Sequence, residues 1–217
     1  MKVLLFIFSA LIAYMVGAIN PAIALSKRIY HTDIREHGSK NAGFANFKRV
    51  FGNKWAWLVF LLDLLKGAVI AAVFAGVFRW RIDSWQLGAA FAGFFAMLGH
   101  AYPIWYKFKG GKCVVVYLSV IHIVDWRIGL LSIVILLLLL FVTKYFSLAD
   151  IIGALTAPIA IIFIGAESVW VILLLSISVA LLVWRHRKNI VRLIHRSEPK
   201  FSVKTEIIKG NKENEQK

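Results

Sequence analysis

The sequence predicts an all-α integral membrane protein of about seven transmembrane helices, with the N-terminus outside and the C-terminus cytoplasmic. Three observations carry this expectation. Of the 217 residues, 60% are apolar and only 17% charged, with a mean hydropathy of +0.74, far from the balance of a soluble domain. The apolar residues come in long runs separated by short polar islands. Lys and Arg gather in alternate loops between those runs, which is how membrane proteins fix their orientation.

In chain order, the apolar segments fall at roughly 3–25, 55–78, 85–105, 113–125, 128–143, 147–165 and 168–184. The first has one Lys before an apolar run, like a signal peptide; the equally hydrophobic chain behind it favours an uncleaved first span. In the second, Asp63 and Lys66 lie three apart on one helical face, where ionisable groups are costly, so mutual pairing toward the bundle interior is expected. The fourth segment is well short of the roughly 20 residues of a perpendicular span and enters from a loop at depth or packs among the others. The loop bearing Lys27, Arg28, Arg35, Lys40, Lys48, Arg49 and Lys54, the group Lys107, Lys109 and Lys112, Lys144, and the basic run from Arg185 onward belong on one side. The other side receives only Arg79, Arg81 and Arg127. Residues 1–198 read as one membrane domain without an internal repeat, and residues 199–217 as a polar, disordered cytoplasmic tail.

The net charge of +15 does not argue for nucleic acid, because the cations lie in short loops between spans. A single cysteine, Cys113, excludes an intramolecular disulfide framework.

The orientation puts three polar islands on the cytoplasmic side, at residues 33–49 (DIREHGSKNAGFANFKR), 99–112 (GHAYPIWYKFKGGK) and 185–198 (RHRKNIVRLIHRSE). In the first, Gly38, Ser39, Asn41 and Gly43 offer amides and a hydroxyl, while Arg35 and Arg49 supply forked cationic donors suited to phosphate. In the second, Gly110, Gly111 and Lys112 precede a helix start, a phosphate cradle in principle though without Walker spacing. There His100 reads equally as an interfacial or a site residue, and Tyr102, Trp105, Tyr106 and Phe108 as an aromatic belt. In the third, His186, Asn189 and Arg192 recur at three-residue spacing along one side of a continuing helix. His186 suits proton acceptance and Asn189 the orientation of a hydroxyl, while the competing reading is a basic helix end on anionic lipid. Ser147 is a helix cap or a site hydroxyl.

Taken in order, DIREHGSKNAGFAN with Arg49, LLDLLKG, GHAYP with KFKGGK, and HRKNIVRL with Glu198 resemble the acyl-phosphate-dependent glycerol-3-phosphate acyltransferase family of bacteria. The resemblance covers nearly the whole chain to about residue 200. It implies a seven-span enzyme of phospholipid synthesis in the bacterial plasma membrane, its active site facing the cytoplasm. That enzyme moves a fatty acyl group from acyl phosphate to the 1-hydroxyl of glycerol 3-phosphate, with no metal or nucleotide cofactor. By the same resemblance Ser39, Arg49, Lys112, His186 and Asn189 line the glycerol phosphate site, Glu198 holds the third motif in place, and Arg35, Asn41 and Ser147 are second choices. The H-x-x-x-x-D signature of the other glycerolipid acyltransferases is absent, since His31 is followed at that spacing by Glu36.

Against the family pattern, Ala18 stands where a serine is expected, and Lys40, Cys113 and Arg196 stand where glycines are. Val115 and Val116 add bulk where Ala and Thr are expected. These departures leave a second reading open, a catalytically impaired relative or a small-anion transporter that binds a phosphate-containing ligand without acyl transfer; the absence of an internal repeat weighs against transport.

Overall fold

The computed structural model describes residues 2–200. Over that range the chain forms ten α-helices and two short 3-10 turns: α1 (Lys2–Ala18), α2 (Pro21–Tyr30), α3 (Phe44–Phe51), α4 (Asn53–Ile82), α5 (Trp85–Ala101), α6 (Val114–Val124), α7 (Trp126–Thr143), α8 (Phe146–Ile164), α9 (Val169–Arg185) and α10 (Arg187–Ile194). The turns lie at Ile34–Glu36 and Ile104–Tyr106. Five segments are long and apolar enough to cross a membrane: Lys2–Tyr30, Asn53–Ile82, Trp85–Tyr106, Trp126–Thr143 and Phe146–Ile164. A sixth is added if α9 and α10, bent by 62°, count as one; α6 is apolar but short. Every expected apolar segment therefore falls on helix. The tail reading lies outside the described residues beyond Lys200.

The first segment is broken where the sequence shows Asn-Pro. Asn20 caps α2 by accepting from the Ile23 amide at 3.0 Å, and Pro21 takes the first turn, where its missing N–H costs nothing. The break frees the Ile19 carbonyl, which accepts from Lys66 Nζ at 2.7 Å. Lys66 also pairs with Asp63 at 2.7 Å, as their spacing predicts, and stands 2.9 Å from His100 Nδ1. One buried cation thus satisfies a loose carbonyl and links α4 to α5.

Helix α5 is the hub, packed against α1, α4, α6 and α9. Its buried face is small: Gly88, Ala89, Ala90, Ala92, Gly93, Ala96 and Gly99. Small residues let backbones approach in lipid, where dispersion rather than water expulsion drives helix association. A Cβ on Gly17 would collide with the Ala96 backbone, and one on Gly99 with Tyr14 and Ala18. In α8, Pro158 lacks the amide that would bond the Ala154 carbonyl; Tyr117 Oη donates to that carbonyl instead, at 3.1 Å.

The two ends of the bundle differ. At one, Ser84 Oγ and the Gln86 amide donate to Glu167 (2.7 and 2.9 Å), Trp85 Nε1 reaches the Ile123 carbonyl (2.6 Å), and Arg127 pairs with Asp125 (2.7 Å). The other end carries all three polar islands.

Candidate active site

The first island is wound around Asn46. This buried side chain accepts from the Ser39 amide at 2.8 Å and donates to the carbonyls of Ile34 (3.3 Å) and His37 (3.0 Å). It fixes the loop and leaves Ser39 exposed and Asn41 half-buried. Asn20 adds a donor to the Ala42 carbonyl at 3.2 Å, so the α1–α2 break also supports this loop. Sequence reasoning passed over Asn46. Its signal was a lone polar residue on the apolar face of the FANFKRVF helix.

Arg35 is not a free phosphate donor. Its guanidinium holds Asp33 at 2.9 and 2.7 Å and donates to the carbonyls of Tyr106 (2.8 Å) and Lys109 (3.0 Å). This clamps the first island to the second, and the guanidinium holds the Asp33 carboxyl far below the usual carboxylate range.

The second island also departs from the expected cradle. The amides of Gly110 and Gly111 donate to the carbonyls of Ala101 (3.1 Å) and His100 (3.0 Å), so they are committed to backbone rather than offered to an anion. Their carbonyls accept from Arg185, Nη2 to Gly110 at 2.9 Å and Nε to Gly111 at 3.0 Å. These glycines are needed for space: a Cβ on Gly110 would strike the His100 carbonyl, and one on Gly111 the His100 ring. His100 is therefore a buried packing and pairing residue under the loop. What the loop presents is Lys112, half-buried. Burial pulls its ammonium down to about 8, against the opposing pull of Asp150 and Glu198, while Arg192 and Arg49 push it lower. Asp150, Glu198, Arg192 and Arg49 are thus the charged groups whose fields reach Lys112.

The third island is organised by Glu198. Its Oε1 accepts from Ser147 Oγ (2.8 Å) and Asn189 Nδ2 (2.6 Å), and its Oε2 from Arg192 Nε (2.7 Å). Glu198 thus ties α8 to α10, and these donors hold its carboxyl below the ordinary value against the opposing effect of burial. His186 sits at the bend between α9 and α10, fully buried. Its Nδ1 is 2.9 Å from the Leu182 carbonyl, while Nε2, which makes no hydrogen bond, lies 3.5 Å from Asp150 Oδ2. Asp150 was absent from the sequence-based set. It follows Ser147 by three residues on α8, a spacing that shares a face.

Three of the expected glycine positions share one property. Lys40 (φ 58), Cys113 (φ 70) and Arg196 (φ 54) all take the left-handed conformation, so the backbone keeps the shape glycine would give. A shallow apolar groove is lined by Leu155 on α8, Val179, Val183 and Trp184 on α9, and Arg187 and Ile190 on α10, among others. Among the described residues no cluster of His, Cys, Asp or Glu gathers to hold a metal.

The sequence profile of the glycerol-3-phosphate acyltransferase family matches residues 7–196. A glycerol-3-phosphate acyltransferase from Thermoanaerobacter pseudethanolicus is 38% identical over 202 residues, 93% of this chain and 98% of its own. One from Listeria monocytogenes is 38% identical over 198 residues, 90% and 96% of the two chains. In three dimensions the chain resembles the crystal structure of PlsY, an integral membrane glycerol 3-phosphate acyltransferase, in its glycerol 3-phosphate form: TM-score 0.83, 34% identity, 91% of this chain and 96% of that one. The lysophosphatidic acid form of PlsY superposes with a TM-score of 0.81. With sequence and fold alike over nine-tenths of its length, this multi-pass membrane protein belongs to the glycerol-3-phosphate acyltransferase family.

Proposed function

We propose that the protein is a working acyltransferase that moves a fatty acyl group from acyl phosphate to the 1-hydroxyl of glycerol 3-phosphate, at the cytoplasmic face of a bacterial plasma membrane. Lysophosphatidic acid and phosphate are the products. The observation that carries this reading is the meeting of the three polar islands at one end of the bundle, with Lys112 amid Arg49, Arg192, Glu198 and Asp150 and with His186 beside Asp150. Two phosphate-bearing substrates need such a cationic site. The glycerol 3-phosphate and lysophosphatidic acid forms of the related PlsY are named for the acceptor and product of this reaction.

Lys112 and Arg49 bind the substrate phosphates, with Ser39 and Asn41 at the loop edge, Gly110 and Gly111 shaping the loop beneath, and Arg35 clamping loop to loop. Asn189, Ser147 and Glu198 form the wall on the α8–α10 side. Acyl phosphate is a mixed anhydride, so orientation and charge stabilisation suffice and no metal or nucleotide is needed. The hydroxyl oxygen attacks the acyl carbon, the bond from that carbon to the phosphate oxygen breaks, and the departing phosphate takes the electron pair. The hydroxyl proton ends on the departing phosphate, passed directly or by way of His186, with Asn189 and Ser39 orienting the reacting groups. The groove along α8 and α9 seats the acyl tail from the lipid side.

Purified protein in detergent, given acyl phosphate and glycerol 3-phosphate, is expected to release phosphate and form lysophosphatidic acid. Acyl-CoA in place of acyl phosphate should give none. For glycerol 3-phosphate, kcat/KM should fall as pH rises through about 8, where Lys112 loses its charge in the free enzyme. Turnover no higher than that of a folded Lys112→Ala variant would remove the assignment.

A further inference from the structure

The two residues that lead into Lys112 have nothing of their own to pack. Gly110 and Gly111 are buried, a Cβ on either would strike His100, and glycine keeps the widest backbone freedom of any residue. Hydrogen bonds must therefore hold this stretch. On one side its amides donate to the Ala101 and His100 carbonyls at the end of α5, at 3.1 and 3.0 Å. On the other, Arg185 Nη2 donates to the Gly110 carbonyl at 2.9 Å and Arg185 Nε to the Gly111 carbonyl at 3.0 Å. Arg185 is the last residue of α9, directly before the 62° bend into α10. Its guanidinium also lies 5.1 Å from the Tyr102 ring, and the Tyr102 carbonyl accepts from Tyr14 Oη of α1 at 2.8 Å.

We propose that Arg185 is a positioning residue for acyl transfer: its two-donor fork fixes the Lys112 loop to the end of α9 and so sets where Lys112 stands relative to Asn189 and Arg192 beyond the bend. A planar guanidinium can serve two neighbouring carbonyls at once, which the single nitrogen of a lysine does not reproduce. Arg35 grips the same loop from the first island, through the Tyr106 and Lys109 carbonyls at 2.8 and 3.0 Å. Two arginines from two islands thus hold the segment between α5 and α6 by four of its carbonyls. Lys112 itself reports on the seating of the loop, because burial pulls its ammonium down to about 8. The charged groups acting on it are Asp150 on α8, Glu198 after α10, Arg192 on α10 and Arg49 on α3. A loosened loop hydrates Lys112 and moves its titration up toward the ordinary lysine value.

The inference rests on Lys112 as a phosphate-binding residue of the acyltransferase, and its test separates the two. Arg185→Lys keeps the charge and gives up the fork, so any change in Lys112 comes through the loop and not from a lost cation. At neutral pH its kcat/KM for glycerol 3-phosphate is expected to fall roughly tenfold, about what one charge-assisted contact contributes. The alkaline limb of that profile should move up by roughly one pH unit. Labelling with acetic anhydride across pH, read at Lys112 by mass spectrometry on substrate-free protein, should show the same upward shift. Arg185→Gln should show it too, and circular dichroism checks the fold of both variants. An Arg185→Lys protein whose Lys112 labels with the wild-type pH dependence overturns the proposal, whatever its activity. Wild-type kcat/KM in Arg185→Lys beside an impaired Arg185→Gln enzyme also overturns it, since charge alone would then be the role of Arg185. Wild-type protein that forms no lysophosphatidic acid removes the acyltransferase reading, while the labelling still decides whether Arg185 holds the loop.

Discussion

At the scale of single residues, the departures from the family pattern prove to be departures in side chain and not in backbone. Lys40, Cys113 and Arg196 hold φ between 54 and 70, the region that costs a residue bearing a Cβ roughly 1–2 kcal/mol. Glycine would relieve that strain but loosen the unfolded chain by about 0.4–1 kcal/mol. Lys40→Gly, at an exposed position, should therefore stabilise by only ~0.5 kcal/mol, read from thermal unfolding in detergent. Cys113 also packs in the core, its thiol donating to the Met97 carbonyl at 3.3 Å, so Cys113→Gly trades strain against lost contacts. Because Cys113 already keeps the loop in its left-handed turn, Cys113→Gly should change kcat by less than about twofold. A large gain would show that the cysteine side chain, and not the turn, limits the enzyme. Which residues gather at one end of the bundle was readable in the chain: Arg49, Lys112, His186 and Asn189 all lie in the three islands that meet. What they bond to was not. Arg35 looked like a phosphate donor because its four protein acceptors come from Asp33, Tyr106 and Lys109, two of them backbone carbonyls far along the chain that no local spacing reveals. Asp150 escaped for a related reason: its partner His186 is on another helix.

At the scale of elements, the apolar runs located every long helix, while the breaks needed local chemistry. The Asn20–Pro21 break carried its signal in the cap and the proline; the bend at His186 carried none, since Arg185 and Arg187 are unremarkable helix residues. The segment after α10 works as a hook: Glu198 crosses back to Ser147 on α8 and holds Asn189 and Arg192 on α10. Glu198→Gln keeps the shape and loses the charge that makes three hydrogen bonds strong. KM for glycerol 3-phosphate should rise about tenfold, with the helix content unchanged by circular dichroism. The sign of the pH effect follows from the depressed carboxyl: its contribution to stability is complete above the ordinary glutamate value and is lost as pH falls through the lower folded value. An acid melt of wild-type protein should thus show a loss that the Gln variant lacks.

At the scale of the whole molecule, the cation distribution predicts one orientation. The end that gathers the islands holds Lys27, Arg35, Lys40, Lys48, Arg49, Lys112 and Arg185, whereas the opposite end holds Arg79, Arg81 and Arg127, so the positive-inside rule predicts that the islands face the cytoplasm. Helix α6 is the test of seven crossings. Its 11 residues rise only about 16 Å, half of a ~30 Å hydrocarbon core, yet it leads from the Lys112 loop to Ile123, whose carbonyl bonds Trp85 at the far end. For α6 to cross, the Lys112 loop must lie below the membrane surface, with its backbone satisfied by protein. Arg185 donating to the Gly110 and Gly111 carbonyls, and the Ala101 and His100 carbonyls accepting from the amides of those glycines, supply that satisfaction. With seven crossings, the loop after α4 faces outside and the segment after α10 faces inside. In a Cys113→Gly background, Asp83→Cys should react with a membrane-impermeant maleimide on intact cells or spheroplasts. Ser197→Cys should react only after permeabilisation. The opposite labelling would invert the orientation, and labelling of both from outside would mean that α6 does not cross.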